Sequence, residues 1–164
     1  LSPSKVMYAC ERGLHYGPSK KVLLEYKQGR DCLVIGKVDD RTLSVAPARK
    51  TLLGMWKMKS GMITAMNGIN GENDRVMGSF SQEFSLAYGL TDFENADKIS
   101  FVLEYKDNTM PDFEKTERIE ADVDKDGFYY VQYKVPDDDK WYYVKDIDVY
   151  DKSGNIIYTQ EYGF

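Results

Sequence analysis

In Ile99-Ser100-Phe101-Val102-Leu103-Glu104-Tyr105-Lys106, the residues Ile99, Phe101, Leu103 and Tyr105 share one parity, and Ser100, Glu104 and Lys106 lie on the other. A period of two places one apolar face on a core and one polar face in water, which is the mark of a half-buried strand. The same pattern recurs around it. Phe80, Phe84, Leu86 and Tyr88 form one parity set; Ile119, Ala121 and Val123 alternate with Arg118, Glu120 and Asp122; Tyr129, Val131, Tyr133 and Val135 form another set. Trp141–Val149 and Asn155–Glu161 complete the series around Asp151-Lys152-Ser153-Gly154, a hairpin turn sequence. From Gly78 onward helical periodicity is almost absent. Six or seven short strands divided by turn signals predict an antiparallel β-sandwich over residues 76–164. It is immunoglobulin-like in architecture only, because the Cys…Trp…Cys signature is missing.

The residues before this region read differently. Ser2-Pro3 supplies an N-cap and a proline at the first helical position, and Val6, Met7, Cys10 and Leu14 recur at helical spacing, with Gly13 as the C′ residue. A short helix over about residues 3–12 follows. After it the period changes to two. Val22–Lys27, Cys32–Val38, Thr42–Val45, Thr51–Met58 and Met62–Met66 read as strands, divided by Gln28-Gly29, Asp39–Arg41, Pro47 and Ser60-Gly61. The expectation for residues 1–70 is a helix packed on an antiparallel meander, a small α+β module. The whole chain is then mainly β.

Charge divides at the same place. Residues 1–70 hold 12 Lys/Arg against 5 Asp/Glu, a net of +7, whereas residues 71–164 hold 10 against 22, a net of −12; the chain as a whole carries −5. The turn-rich stretch from Asn67 to Arg75 is the expected boundary between a basic module and an acidic one. The longest uncharged stretch, Ser60–Gly71, has 12 residues, well short of the ~20 apolar residues of a membrane-spanning helix. Two cysteines make no disulfide framework, and one histidine makes no His-rich metal site. Cys10 and Cys32 read as buried structural residues, with a Cys10–Cys32 bridge left open.

Three stretches carry a family resemblance: the opening Ser2-Pro3 helix, Lys50-Thr-Leu-Leu-Gly-Met-Trp-Lys57, and Tyr150-Asp-Lys-Ser-Gly-Asn-Ile-Ile-Tyr158. In these the chain resembles a loose group of exported or membrane-anchored proteins of Gram-positive bacteria. The resemblance implies a signal peptide or membrane anchor upstream of Leu1, an extracellular or cell-surface location, and no catalytic residue.

Several constellations bear on chemistry. Asp122-Val-Asp124-Lys-Asp126-Gly127 matches the first half of a calcium loop, but the twelfth position is Tyr133 where an EF-hand supplies a bidentate glutamate. An acidic hairpin turn is the competing reading, and at most weak, millimolar Ca²⁺ binding is expected at Asp122, Asp124 and Asp126. His15 has no nucleophile motif beside it in the sequence, and no phosphate-binding glycine loop stands between a strand and a helix. Tyr129-Tyr130 and Trp141-Tyr142-Tyr143 put aromatic rings on both faces of their strands. Tyr130, Trp141 and Tyr142 are therefore candidates for a stacking or protein-contact surface, or alternatively covers over the core. Lys20, Lys21 and Lys57 mark basic clusters of the first module that suit an anionic cell-wall polymer or lipid surface; the pI near 5.0 argues against nucleic acid. The sequence thus reads as a non-catalytic, envelope-associated protein that binds a protein partner or an anionic wall polymer. The alternative is a small hydrolase acting on an envelope polymer through paired carboxylates, marked by a cleft holding two of them.

Overall fold

A computed structural model describes residues 2–12, 18–59, 65–107, 109–134 and 140–162, with backbone only at 65–67, 111–114 and 140. His15, the proposed C′ residue Gly13, Ser60-Gly61 and Asp137–Asp139 lie outside the described residues. The chain is mainly β, with one short N-terminal helix and antiparallel sheets, and it divides into two compact units, Leu1–Asn70 and Gly71–Phe164.

In the first unit, helix α1 (Pro3–Glu11) starts where the sequence says it should. Ser2 is extended, its hydroxyl accepts from the Lys5 N–H, and Pro3 occupies the first turn, where a missing N–H costs nothing. Strands β1 (Lys21–Gln28), β2 (Asp31–Asp39), β3 (Thr42–Lys50) and β4 (Trp56–Met58) form a sheet in that order, and β5 (Ala65–Gly68) also pairs with β3. Met7 of the helix packs with Cys32, Val34 and Ala46, flanked by Tyr8, Val22, Trp56 and Met58. Both cysteines are free, and burial pushes the Cys32 thiol up to about 11. One buried charge was invisible in the sequence. The Glu11 carboxylate is fully buried and accepts from the Ser19 N–H (2.8 Å) and the Ser19 hydroxyl (2.7 Å), fastening the helix end to the entry of β1. Ser19 sits against Gly36 of β2, where a Cβ would collide with it.

Pro47 does not divide two strands as expected; β3 runs through it. The Pro47 carbonyl accepts from the Lys59 N–H, so its nitrogen faces that same edge. There β5 pairs only as far as Val45 and β4 begins at Ala48. Proline thus falls in the gap between two short strands, where no ladder donor is needed. The segment expected as one strand over Thr51–Met58 is a hairpin tip followed by the three-residue β4.

Among its described residues the second unit has seven strands: β6 (Val76–Ser81), β7 (Leu86–Thr91), β8 (Lys98–Asp107), β9 (Met110–Asp122), β10 (Phe128–Gln132), β11 (Lys140–Tyr150) and β12 (Ile156–Glu161). A three-stranded sheet of order β10-β7-β6 and a four-stranded sheet of order β12-β11-β8-β9 form the sandwich. The run Phe80…Tyr88 is a hairpin rather than one strand. It turns at Gln82–Ser85 without glycine or proline, and Ser85 takes the left-handed conformation (φ 49°). Phe80 therefore faces the core while Leu86 and Tyr88 belong to the opposite face of their sheet.

Between the sheets six aromatic rings form a connected chain. Tyr129 meets Phe101 at 5.7 Å, Phe101 meets Phe80 at 5.2 Å, and Phe80 meets Tyr133 and Tyr142 at 5.2 and 5.4 Å; Tyr142 continues to Tyr105 at 5.8 Å. Two glycines paired across β6 and β7, Gly78 and Gly89, lie beneath them. A Cβ at Gly78 would enter the space of Phe101, and one at Gly89 would strike the Tyr129 ring. Tyr129 crosses Gly89 and donates its hydroxyl hydrogen bond to the Met77 carbonyl, so a residue of β10 is tied to β6 over the strand between them. Arg75 fixes the start of β6: its carbonyl accepts from the Asp92 N–H and the Thr91 hydroxyl, and its guanidinium pairs with Asp92 and lies 4.1 Å over the Phe93 ring.

Two stability predictions follow from this packing. Gly78→Ala should cost about 3 kcal/mol in urea unfolding, because close packing leaves no room for a methyl group against Phe101, whereas Tyr129→Phe should cost about 1 kcal/mol for the lost hydroxyl contact. In the first unit, Asp31 accepts from Arg49 at 2.6 and 2.8 Å and faces Lys59 at 3.5 Å, and these cations hold its carboxyl down at about 2. A depressed carboxyl stabilises the fold above its unfolded value near 3.8, and that stabilisation disappears as pH falls toward 2. Because Arg49 is 47% exposed, screening reduces the contribution to about 1 kcal/mol. Asp31→Asn should be that much less stable at neutral pH, and the difference should close between pH 4 and 2; a constant difference in urea melts across that range would contradict it.

Candidate functional site

The outer face of the four-stranded sheet is built where β8 and β11 pair: Trp141 stands opposite Lys106 and Tyr143 opposite Glu104. The Trp141 and Tyr143 rings lie 5.9 Å apart and tilted by 35°. The Lys106 ammonium is 5.9 Å from the first ring centre and 5.7 Å from the second, within cation–π range of both. Tyr143 donates its hydroxyl to Glu104, whose other oxygen takes the Lys145 ammonium at 3.1 Å. These two partners hold the Glu104 carboxyl below the usual range, the tyrosine first. Trp141 remains 45% exposed.

A β-bulge sets which rings face out. The register of β11 on β8 shifts between Val144 and Asp146, so Lys145 is the extra residue. Tyr142 and Val144 before the bulge, and Ile147 and Val149 after it, all serve the core although their parity differs. Below the bulge the same outer face is polar. Arg118 donates to Asp148 at 2.8 Å, Asp148 also accepts from the Thr159 hydroxyl at 2.8 Å, and Arg118 reaches Ser100 at 3.4 Å. Asp146 is pushed up, chiefly by burial and then by Asp148 and Glu161.

The expected site residues separate. Trp141 belongs to the face just described. Tyr142 does not: it points inward, its ring against Phe80, Tyr105 and Tyr133, and its hydroxyl donates to Tyr133 at 2.8 Å while burial pushes it up. Tyr130 is 46% exposed on β10 of the other sheet, with its ring stacked on Phe128. Lys20 and Lys21 lie at the start of edge strand β1, and Lys57 lies on β4 at the opposite side of the sheet. Lys20 does join Lys5, Tyr8 and Arg12 around a groove of about 630 Å³ beside α1, with no carboxylate among its described lining residues. Tyr143, Lys106 and Glu104 were missed. Parity alone pairs Tyr143 with Trp141, so that part of the signal was present.

Asp124 is occupied by its turn. Its Oδ1 accepts from the Asp126 N–H (2.8 Å) and the Phe128 N–H (3.0 Å), while its own N–H donates to the Phe128 carbonyl and the Gly127 N–H to the Asp124 carbonyl. Residues 151–155 repeat this turn bond for bond, with Asp151 accepting from Ser153 and Asn155 and Gly154 in the position of Gly127. Gly127 and Gly154 have φ of 75° and 80°. Ser153 in place of Asp126 leaves the backbone unchanged, so the turn itself does not need the Asp126 carboxylate. Among the described residues no group of three His, Cys, Asp or Glu side chains stands in a metal-binding arrangement, and no helix is long and apolar enough to cross a membrane.

Comparison with family models, curated proteins and solved structures found no match to the chain.

If Asp124 caps the turn, Asp124→Asn should melt within a degree or two of the native protein, because an amide oxygen still accepts both N–H groups. Asp124→Ala should cost about 1 kcal/mol. Calorimetric titration should show Ca²⁺ binding no tighter than millimolar for either the native protein or Asp124→Asn; a micromolar constant lost in Asp124→Asn would make the residue a ligand instead.

Proposed function

We propose that the protein is a non-catalytic binding protein of the cell envelope, membrane-anchored or otherwise at the cell surface, and that its Trp141 face contacts a protein partner. The observation that carries this reading is the half-exposed Trp141 ring, held beside Tyr143 on a paired strand with Lys106 over both. Tryptophan and tyrosine dominate the energetics of protein contacts because they bury a large area with few rotors to freeze. The bonds from Tyr143 to Glu104 and from Glu104 to Lys145 orient the second ring in advance, which lowers the cost of association. The Glu104–Lys145 pair and the Lys106 ammonium lie beside the rings, as charged groups do in the polar rim of an interface.

Charge favours a protein over an anionic wall polymer at this face. The net of −12 over residues 71–164 repels a polyanion, whereas the basic residues 1–70 are the better match for one. The hydrolase alternative has less support. A carboxyl pushed up by burial on this face, Asp146, stands near Asp148, but Asp148 is bound by Arg118 and Thr159, and both acids are on a strand face rather than facing each other across a cleft.

A photo-crosslinking amino acid at Trp141, in cells that make the protein, should give a protein adduct of discrete mass that Lys106→Glu diminishes. The same probe at Lys152 should not give it. An adduct that disappears on glycan digestion, or none at all, would overturn the proposal. Trp141→Ala should change stability by less than about 1 kcal/mol, since the ring is half in water already, while Tyr142→Ala should cost about 3 kcal/mol.

A further inference from the structure

The hairpin joining β3 to β4 carries apolar residues that its turn does not require. In Thr51-Leu52-Leu53-Gly54-Met55 the Thr51 N–H donates to the Met55 carbonyl (2.7 Å), the Gly54 N–H to the Thr51 carbonyl (3.0 Å) and the Met55 N–H to the Thr51 hydroxyl (3.1 Å); Gly54 has φ 80°. This is the turn of residues 124–128 and 151–155, with a threonine hydroxyl in place of the aspartate carboxylate. In those two the outermost positions hold Lys125-Asp126 and Lys152-Ser153. Here they hold Leu52 and Leu53, 90% and 84% exposed, followed by Met55 at 57%. The same chain builds this turn twice with polar residues, so the leucines contribute nothing to its geometry.

Cations stand immediately behind the tip. Lys50 pairs with Trp56 and Arg49 with Lys57 at the top of the stem. Arg30 reaches in to donate to the Lys50 carbonyl at 2.8 and 3.1 Å. No Asp or Glu occurs between Asp40 and Glu72. Asp31, alongside, is already engaged by Arg49 and Lys59. Neither Lys50 nor Lys57 has an ion-pair partner among the described residues. Trp56 packs on the core around Met7, Cys32, Val34 and Ala46, so the stem is anchored in the fold.

We propose that this hairpin inserts into the interface of an anionic lipid membrane, with Leu52, Leu53 and Met55 at the acyl boundary and Lys50, Lys57 and Arg30 among the phosphates. The depth order supports a bilayer. A strand advances about 3.3 Å per residue, so the cations sit one and two residue pairs behind the apolar end. Interfacial anchors enter roughly 5–10 Å, and long basic side chains keep their charge at the headgroups while their stems stay in the apolar layer. The positive collar matches the negative potential of anionic lipids. This surface, its ligand and its unit all differ from those of the Trp141 face, and either proposal can fail without the other.

The test is co-sedimentation of the full chain with vesicles of phosphatidylcholine, with and without about one-third phosphatidylglycerol. Binding should require the anionic lipid and weaken with salt. Leu52→Asp/Leu53→Asp and Lys50→Glu/Lys57→Glu should each reduce the bound fraction by more than about tenfold, with melting temperatures unchanged because the side chains are exposed. Absence of vesicle binding overturns the proposal, as does loss in the lysine variant alone, which would mean surface adsorption without insertion. Self-association in sedimentation velocity that the leucine variant abolishes, without vesicle binding, would assign the tip to a second copy of the chain instead.

Discussion

Two glycines set the spacing of the sandwich. Gly78 and Gly89 face each other across β6 and β7 and clear a flat floor on which Phe101 from the opposite sheet and Tyr129 from the neighbouring strand both lie. A side chain at either position would lift a ring and separate the sheets. The remaining aromatic contacts, through Phe80 to Tyr133, Tyr142 and Tyr105, depend on that approach, because edge-on pairs lose their advantage beyond about 7 Å. The outer face inherits the constraint. Trp141 and Tyr143 can point outward because Tyr142 between them is held by the ring cluster.

Much of the fold was legible because parity is a direct consequence of the pleat. The strand at Ile99–Lys106 and its neighbours are where the alternation puts them, and the Ser2-Pro3 signal starts the helix. What was not legible has local causes. Gln82–Ser85 turns without a glycine or proline, so the parity of Phe80 and Leu86 ran on through a hairpin. Pro47 reads as a strand break unless one knows that β4 and β5 meet beside it. The bulge at Lys145 reverses the parity within one strand. For the same reason the site was half legible: composition pointed to Trp141-Tyr142-Tyr143, and only the pairing with β8 separates the inward ring from the outward two and brings Lys106 to them.

The acid-rich turn is a case where one sequence pattern serves two kinds of chemistry. Asp-x-x-Gly supplies an oxygen acceptor and a residue free to take positive φ, and a calcium loop needs both as well. The second copy at Asp151, with serine where Asp126 stands, shows that the turn forms without that carboxylate. The buried Glu11–Ser19 clamp is the opposite case. It has no motif, since eight residues separate the partners and neither residue type is unusual where it stands.

The Tyr129–Met77 bond also bears on how the second unit responds to force. A pull on the chain ahead of the sandwich meets the bond from the Tyr158 hydroxyl to the Asn73 carbonyl and then Arg75, where the load passes into Asp92 and Phe93 as well as into β6. Strand β6 is an edge strand, and an edge strand held only by its ladder could peel away one residue pair at a time. The tyrosine prevents that. To free Met77, its carbonyl must also give up the hydroxyl of Tyr129, whose ring lies over Gly89 against Phe101 from the other sheet. Tension at Met77 therefore passes to β10 as well as to β7, so β6 is held there by more than its own ladder.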